Sequence, residues 1–425
     1  MVVYKEGADK AKQMLPFSSM QSQNPQDLWH WMDRYEEKTG GSLLAIPHNS
    51  NLSGGKMFPQ AAVAEEYSDT YLATRKRREH VVEITQIKGD SESHPVLSPN
   101  DEFAGFGDNG WDNGNLPLTN LETDAMKGGE YIREALKQGL AYEKARGINP
   151  YQFGVIGSTD AHTGLSAVEE DNFWGKHSGN EPSPGRLKQV TRRNPRDPET
   201  FRLGWQYQSG GYAAVWAHEN TRASIFDALQ RREVYATTGS RITLRVFAGE
   251  GLQTQWLESE QGLQHAYQHA VPMGGEISAA QVKRAPQLLI RADKDPMGAN
   301  LDRIQVVKGW LDQEGELHEQ VFDVAWSQAG VRKLDDNGKV PAVGSTVDIA
   351  TPSYTNDIGD TQLTALWTDP AFDAAQAAFY YARVIEIPTP NWVAYDAARF
   401  NVEAPEGAIT SHQERAYSSA IWYRP

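Results

Sequence analysis

Cysteine is absent from all 425 residues. That excludes disulfides, thiolate metal sites and a cysteine nucleophile together, and it leaves the redox compartment open. No run approaches the eighteen or more apolar residues that a membrane-spanning helix needs. The first thirty residues also lack the basic segment and apolar core of a signal peptide, so a soluble chain with no membrane partner is expected. Positive charge is in short supply. Lys and Arg number 41 against 56 Asp and Glu, a net charge of −15. Nucleic acid is held by clustered Lys and Arg, so it is not expected as a partner. The one basic run, Arg75-Lys76-Arg77-Arg78, reads as a solvated helix face.

What is present describes a folded protein. Hydrophobic residues make up 39% and aromatic ones 10%, too many for a disordered chain. At this length two domains are the natural division. Residues 1–240 alternate helical stretches with short apolar runs. PQDLWHWMDRYEEKT (25–39) is a helix ended by Gly40-Gly41, and helical stretches follow near 62–78 and over 128–146. Between them SLLAI (42–46), HVVEITQI (80–87) and FGVIG (153–157) read as buried strands, and 220–239 as a capped helix followed by a strand. Helix and buried strand in alternation predict a parallel α/β layer or barrel.

After residue 240 the pattern changes. RITLRVFAG, QLLIRAD, DRIQVVKGWLD, EQVFDVAWS and FYYARVIEI are short segments parted by Gly, Pro and Asp, which predicts an antiparallel, sandwich-like domain over 241–425. Between the two regimes the Pro- and charge-rich stretch 176–200 reads as a long loop, excluded as a strand or long helix.

The chemistry gathers at strand ends. In GVIGSTDAHTGL (154–165) an apolar run ends in Asp160 and His162, two residues apart. In extended chain such a pair points to one side, roughly 6–7 Å apart, and can reach one small object beyond the strand. A carboxylate and an imidazole are both ligands for zinc, manganese or iron, although the same pair also reads as a helix cap and a loop residue. AIPHNSN delivers His48 with Asn49 and Asn51 beside it. VVEITQIKGDSESHP carries Glu83 within the strand and Asp90, Glu92 and His94 after it. His48 could instead bond loop backbone, and Glu83 is either a buried acid with a partner or an outward-facing residue. In EEDNFWGKH (169–177) Lys176 and His177 are candidates to hold an anionic group. A binding module is the rival reading, with Trp310, Trp326, Trp367 and Trp392 stacking on sugars, although strand tryptophans more often pack in cores.

Several long blocks carry a resemblance. IPHNSNLSGGKMF (46–58), VEITQIKGDSESHP (82–95), IGSTDAHTGLSAVEEDNFWGK (156–176) and ENTRASIFDALQRREVYATTG (219–239) resemble conserved blocks of a bacterial domain of unknown function. So do DPMGANLDRIQVVKGW (295–310) and YYARVIEIPTPNWVAYDA (380–397). That family is assigned to the polymerase-and-histidinol-phosphatase (PHP) superfamily of metal-dependent hydrolases. The resemblance implies a distorted seven-stranded α/β barrel with two or three metal ions at its carboxyl end, followed by the β-rich domain. It implies metal binding by His48, Asp160 and His162, with Glu83 as a further ligand or supporting acid. Asp160 and His162 would be catalytic. The implied reaction is hydrolysis of a small anionic ester, phosphate first and sulfate as an alternative, with Asn49, Asn51, Lys176 and His177 holding its oxygens. The chain departs from the superfamily in lacking its opening His-x-His and Asp-His pairs, since the only histidine before His48 is His30, in a helix. It resembles the later part of such a barrel, with an oligomeric partner or an upstream segment expected to complete it.

Overall fold

The computed structural model describes residues 1–61 and 66–425; residues 62–65 of the helix expected over 62–78 lie outside them, and Asp69–Arg78 is helical. An eight-stranded sheet runs through the middle of the molecule. Ala378–Glu386 lies antiparallel to Leu301–Leu311, Arg415–Ser418 and Ile421–Arg424. Arg415–Ser418 pairs with Val234–Thr237, which pairs with Tyr212–Val215, so strands from both sides of residue 240 share this sheet. All nine residues of Ala378–Glu386 are buried, because both faces of the sheet are covered.

Alternate residues serve the two faces. Tyr380, Ala382 and Val384 pack with Leu244, Val246, Leu288 and Ile290 from a four-stranded antiparallel sheet, so two sheets share this core. Phe379 and Tyr381 face the other way, onto Ile132, Leu136 and Leu140 of the helix Ile132–Arg146. Trp392 is buried, whereas Trp310 and Trp367 pack at the margin of the sandwich core.

The α/β layer lies beyond that helix-covered face. Val81–Gln86 runs parallel to Gly154–Gly157, and the backbone N–H of Glu83 donates to the Pro47 carbonyl (3.3 Å) just after Leu43–Ala45. Three carboxyl ends therefore sit together. The layer is pressed directly against the central sheet at Gly157, where a Cβ would stand 2.7 Å from the carbonyl oxygens of Thr237 and Tyr212. The chain is thus a mixed α/β protein of several sheets, and among the described residues none closes into a barrel.

Two expectations need correction. The 176–200 stretch does contain a strand: Val190–Arg193 pairs with Phe201–Leu203 in an exposed hairpin whose ladder needs no apolar face. The basic run is also not simply solvated. Arg75 and Arg78 are buried, Arg75 bonded to Glu79 (2.8 Å) and stacked over Tyr151, and Arg78 paired with Asp33 and Glu36. Only Arg77 is fully exposed, because the helix turns the other positions toward the core.

Burial of charge is extensive elsewhere. Arg133, from the helix, and Arg383, from the central strand, jointly hold Glu92 and Asp101 of the segment that follows Val81–Gln86. Arg383 makes a forked contact with Asp101 (2.7 and 2.9 Å), and Tyr381 donates to Glu92. Burial pushes both carboxyls up, but the two guanidiniums outweigh it and hold both below their ordinary values.

Removing one guanidinium leaves a buried carboxylate half-paired. Arg383→Met is expected to cost roughly 3–5 kcal/mol in urea unfolding at pH 7. The sign with pH follows from the depressed values. Glu92 and Asp101 stabilise the fold above their unfolded values near 4, and that contribution is lost as pH falls through the lower folded values. The wild type should therefore lose stability steeply below about pH 4, and Arg383→Met should do so more shallowly. Identical acid profiles would contradict the assignment.

Candidate functional site

The site is assembled at the three carboxyl ends. His48 follows the strand Leu43–Ala45 by three residues. Its Nδ1 lies 2.7 Å from Glu83 Oε1 on the neighbouring strand, and Ser158 donates to the other Glu83 oxygen. Glu83 is therefore the buried acid with partners, not an outward-facing residue. This contact fixes the ring and turns Nε2 toward Asp160 Oδ1, 3.7 Å away. Asn49 (φ 61°) and Asp160 (φ 47°) both adopt left-handed backbone, which short polar side chains tolerate better than others. Each is tied down: Gln86 donates to Asn49 Oδ1 at 3.3 Å, and Lys176 Nζ donates to the Asp160 carbonyl at 2.6 Å.

Asp160 divides its carboxylate between two kinds of neighbour. Oδ1 faces imidazoles, with His48 Nε2 at 3.7 Å and His162 Nδ1 at 3.8 Å. Oδ2 faces two lysines, Lys176 Nζ at 2.6 Å and Lys88 Nζ in close contact. Lys88 also donates to Gln86 Oε1 (2.9 Å). Burial, then the neighbouring Lys176, pulls Lys88 down to about 6, and burial brings Lys176 to about 8. His162 and His177, their rings 4.9 Å apart, are both lowered by burial and then by Lys176.

His48, Glu83, Asp160, His162, Lys176 and His177 thus come together, with Asn49 at the edge. Asn51 is buried behind them and donates to the Lys88 carbonyl (3.0 Å). Asp90, Glu92 and His94 do not join. Glu92 belongs to the buried arginine network, Asp90 accepts from the Glu92 N–H, and His94 Nε2 is 3.2 Å from Asp112. Lys88 and Ser158 were not anticipated. The only signal for Lys88 was a lone lysine, in QIKGD, directly after a buried strand.

The donor chemistry suits a small divalent cation at Asp160 Oδ1. Two ligands of one such ion stand about 3–4 Å apart, given metal–ligand distances near 2.0–2.2 Å, and both imidazole nitrogens fall in that range. The three expected donors are nonetheless not mutually close. Among the described residues, the one group of three His, Asp or Glu donors all within 4.8 Å of one another is Glu170, His412 and Glu414. Beside His48 opens a cavity of about 720 Å³ with apolar walls that include Tyr4, Phe17, Trp29 and Met57. No described helix is long and apolar enough to cross a membrane.

The family model described as Protein of unknown function (DUF3604) covers residues 1–425, and the chain belongs to that family. No curated protein matches it.

The lysine pair generates a test by titration. Lys176→Met removes a cation 3.2 Å from His162 Nδ1, so the His162 pKa should rise toward its ordinary value near 6.5. Proton-detected NMR of the histidine rings reads this directly; an unchanged or lower value would show that Lys176 does not act on the ring.

Proposed function

We propose that this chain is a metal-dependent hydrolase of the PHP type acting on an ester of a small anion, phosphate first. The supporting observation is the divided carboxylate of Asp160, with two imidazoles on one oxygen and two lysines on the other. One side suits a cation and the other an anion, which is the pairing that ester hydrolysis requires. His48, Asp160 and His162 would hold zinc, manganese or iron, with Glu83 orienting His48 through Nδ1. Such an ion lowers the pKa of a bound water to about 7 and polarises the ester oxygen.

The remaining residues bind and orient. Lys176, Lys88 and His177 attract the anionic oxygens, with Asn49 at the rim, and Asn51 acts by holding the Lys88 backbone. Lys88 is held below the usual lysine range by burial and then by Lys176. Glu83 and Ser158 keep the His48 ring from turning. The apolar cavity beside His48 suits an ester whose alcohol portion is apolar or aromatic. A sulfate ester meets the same electrostatics. On this reading the parallel pair Val81–Gln86 and Gly154–Gly157 is part of a PHP-type barrel.

Elemental analysis of chain purified without chelator, paired with para-nitrophenyl phosphate and sulfate assays, tests this. About one equivalent of divalent metal should be lost in Asp160→Asn, and turnover should fall at least 100-fold, in line with loss of a metal-activated water. Lys176→Met should retain the metal and chiefly raise KM. Metal content unaffected by Asp160→Asn, with no ester turned over, would remove the proposal.

A further inference from the structure

A second cluster lies outside the residues used so far. Glu170 begins the turn Glu170–Asn172, in the same loop that carries Asp160 and Lys176. His412 ends the short strand Ser411–His412, where it pairs with Thr389, and Glu414 follows two residues later. His412 Nε2 stands 3.4 Å from Glu170 Oε1 and 3.2 Å from Glu414 Oε1, and one donor atom from each residue lies within 4.8 Å of the other two. That nitrogen is buried and makes no hydrogen bond of acceptable geometry among the described residues. The carboxylates are held from behind. Glu170 accepts from the Trp392 N–H (2.5 Å) and Ser209 Oγ (2.6 Å), and Glu414 accepts from Thr238 Oγ1. Preset outer contacts of this kind orient metal ligands.

Glu386, 1% exposed, packs against the same segment, its backbone N–H donating to the Glu414 carbonyl (2.9 Å). The guanidinium of Arg415 stacks over Phe106 (4.0 Å) and donates to the Phe103 carbonyl (2.9 Å), not to the glutamates. Glu170 and Glu414 therefore both face the imidazole of His412. A divalent ion on a neutral imidazole would balance both carboxylates, and the donor set of one nitrogen and two oxygens suits zinc or manganese. Glu170 and His412 also line a cavity of about 490 Å³, which leaves a coordination position accessible to a small ligand.

We propose that Glu170, His412 and Glu414 bind one divalent cation, zinc or manganese, at the wall of this cavity. The ion joins the 158–177 loop to the segment leading into Arg415–Ser418, and so fixes the loop that carries Asp160 and Lys176. It is independent of any ion at His48 and Asp160, since the two sites share no residue.

Crystals of the wild-type chain soaked in zinc or manganese at a few equivalents should show an anomalous peak about 2.0–2.2 Å from the three donor atoms. In solution, zinc should raise the melting temperature of wild type and of Asp160→Asn alike, and each should retain an equivalent of zinc at this cluster. Glu170→Gln/Glu414→Gln should lose both the equivalent and the shift. The absence of a peak at these donors overturns the proposal, whether or not the double variant folds. So does an equivalent of zinc that persists in a folded double variant carrying Asp160→Asn as well. A peak at this cluster with none at His48 and Asp160 would count against the hydrolase reading and leave this one standing.

Discussion

Two arginines meeting two carboxylates in the interior set the conditions for everything around the site. Arg133 sits on the helix that covers the central sheet, Arg383 on the central strand, and both reach Glu92 and Asp101. Four charges withdrawn from water are costly, and only complete mutual pairing offsets that cost. Gln305, Tyr381, Ser98 and Glu319 add further hydrogen bonds. The segment after Val81–Gln86 has therefore one place to lie. Lys88 precedes Glu92 by four residues, so the lattice that anchors Glu92 also restricts where the Lys88 side chain can enter. A charge network with no part in the chemistry thereby helps to position a lysine that touches Asp160.

The same constraint explains which features could be read from the residues alone. Strand ends were legible because apolar runs such as VVEIT and GVIG announce buried strands, and the residues just after such runs must emerge near one another. His48, Asp160 and His162 follow such runs and lie together, whereas Lys176 and His177 reach them from a loop 19 residues beyond Gly157. Buried charge was not legible. Arg75, Arg78, Arg133 and Arg383 look like surface residues until their partners are known, and those partners can lie far away, as Asp101 and Arg383 do. Glu170 and His412 are likewise separated by more than half of the chain. No local pattern signals such a pair.

The layering was legible only in part. Short segments after residue 240 read correctly as antiparallel strands, since turn residues punctuate them. Their arrangement was not predictable, because Ala378–Glu386 is buried on both faces and its sheet draws strands from either side of residue 240. The hairpin at Val190–Arg193 shows the converse, a strand formed by backbone pairing in a stretch too polar to suggest one.

The order of strands in the central sheet also sets a timetable. Arg415–Ser418 lies between Ala378–Glu386 and Val234–Thr237, and Ile421–Arg424 between Ala378–Glu386 and Glu276–Ser278. Neither is an edge that could be added late to a finished structure. Pairings of such long sequence separation form slowly. The α/β layer meets that sheet at Gly157 through Tyr212 and Thr237, whose strands join Ala378–Glu386 only through Arg415–Ser418. The most distant part of the sequence thus ties the α/β layer to the rest of the central sheet.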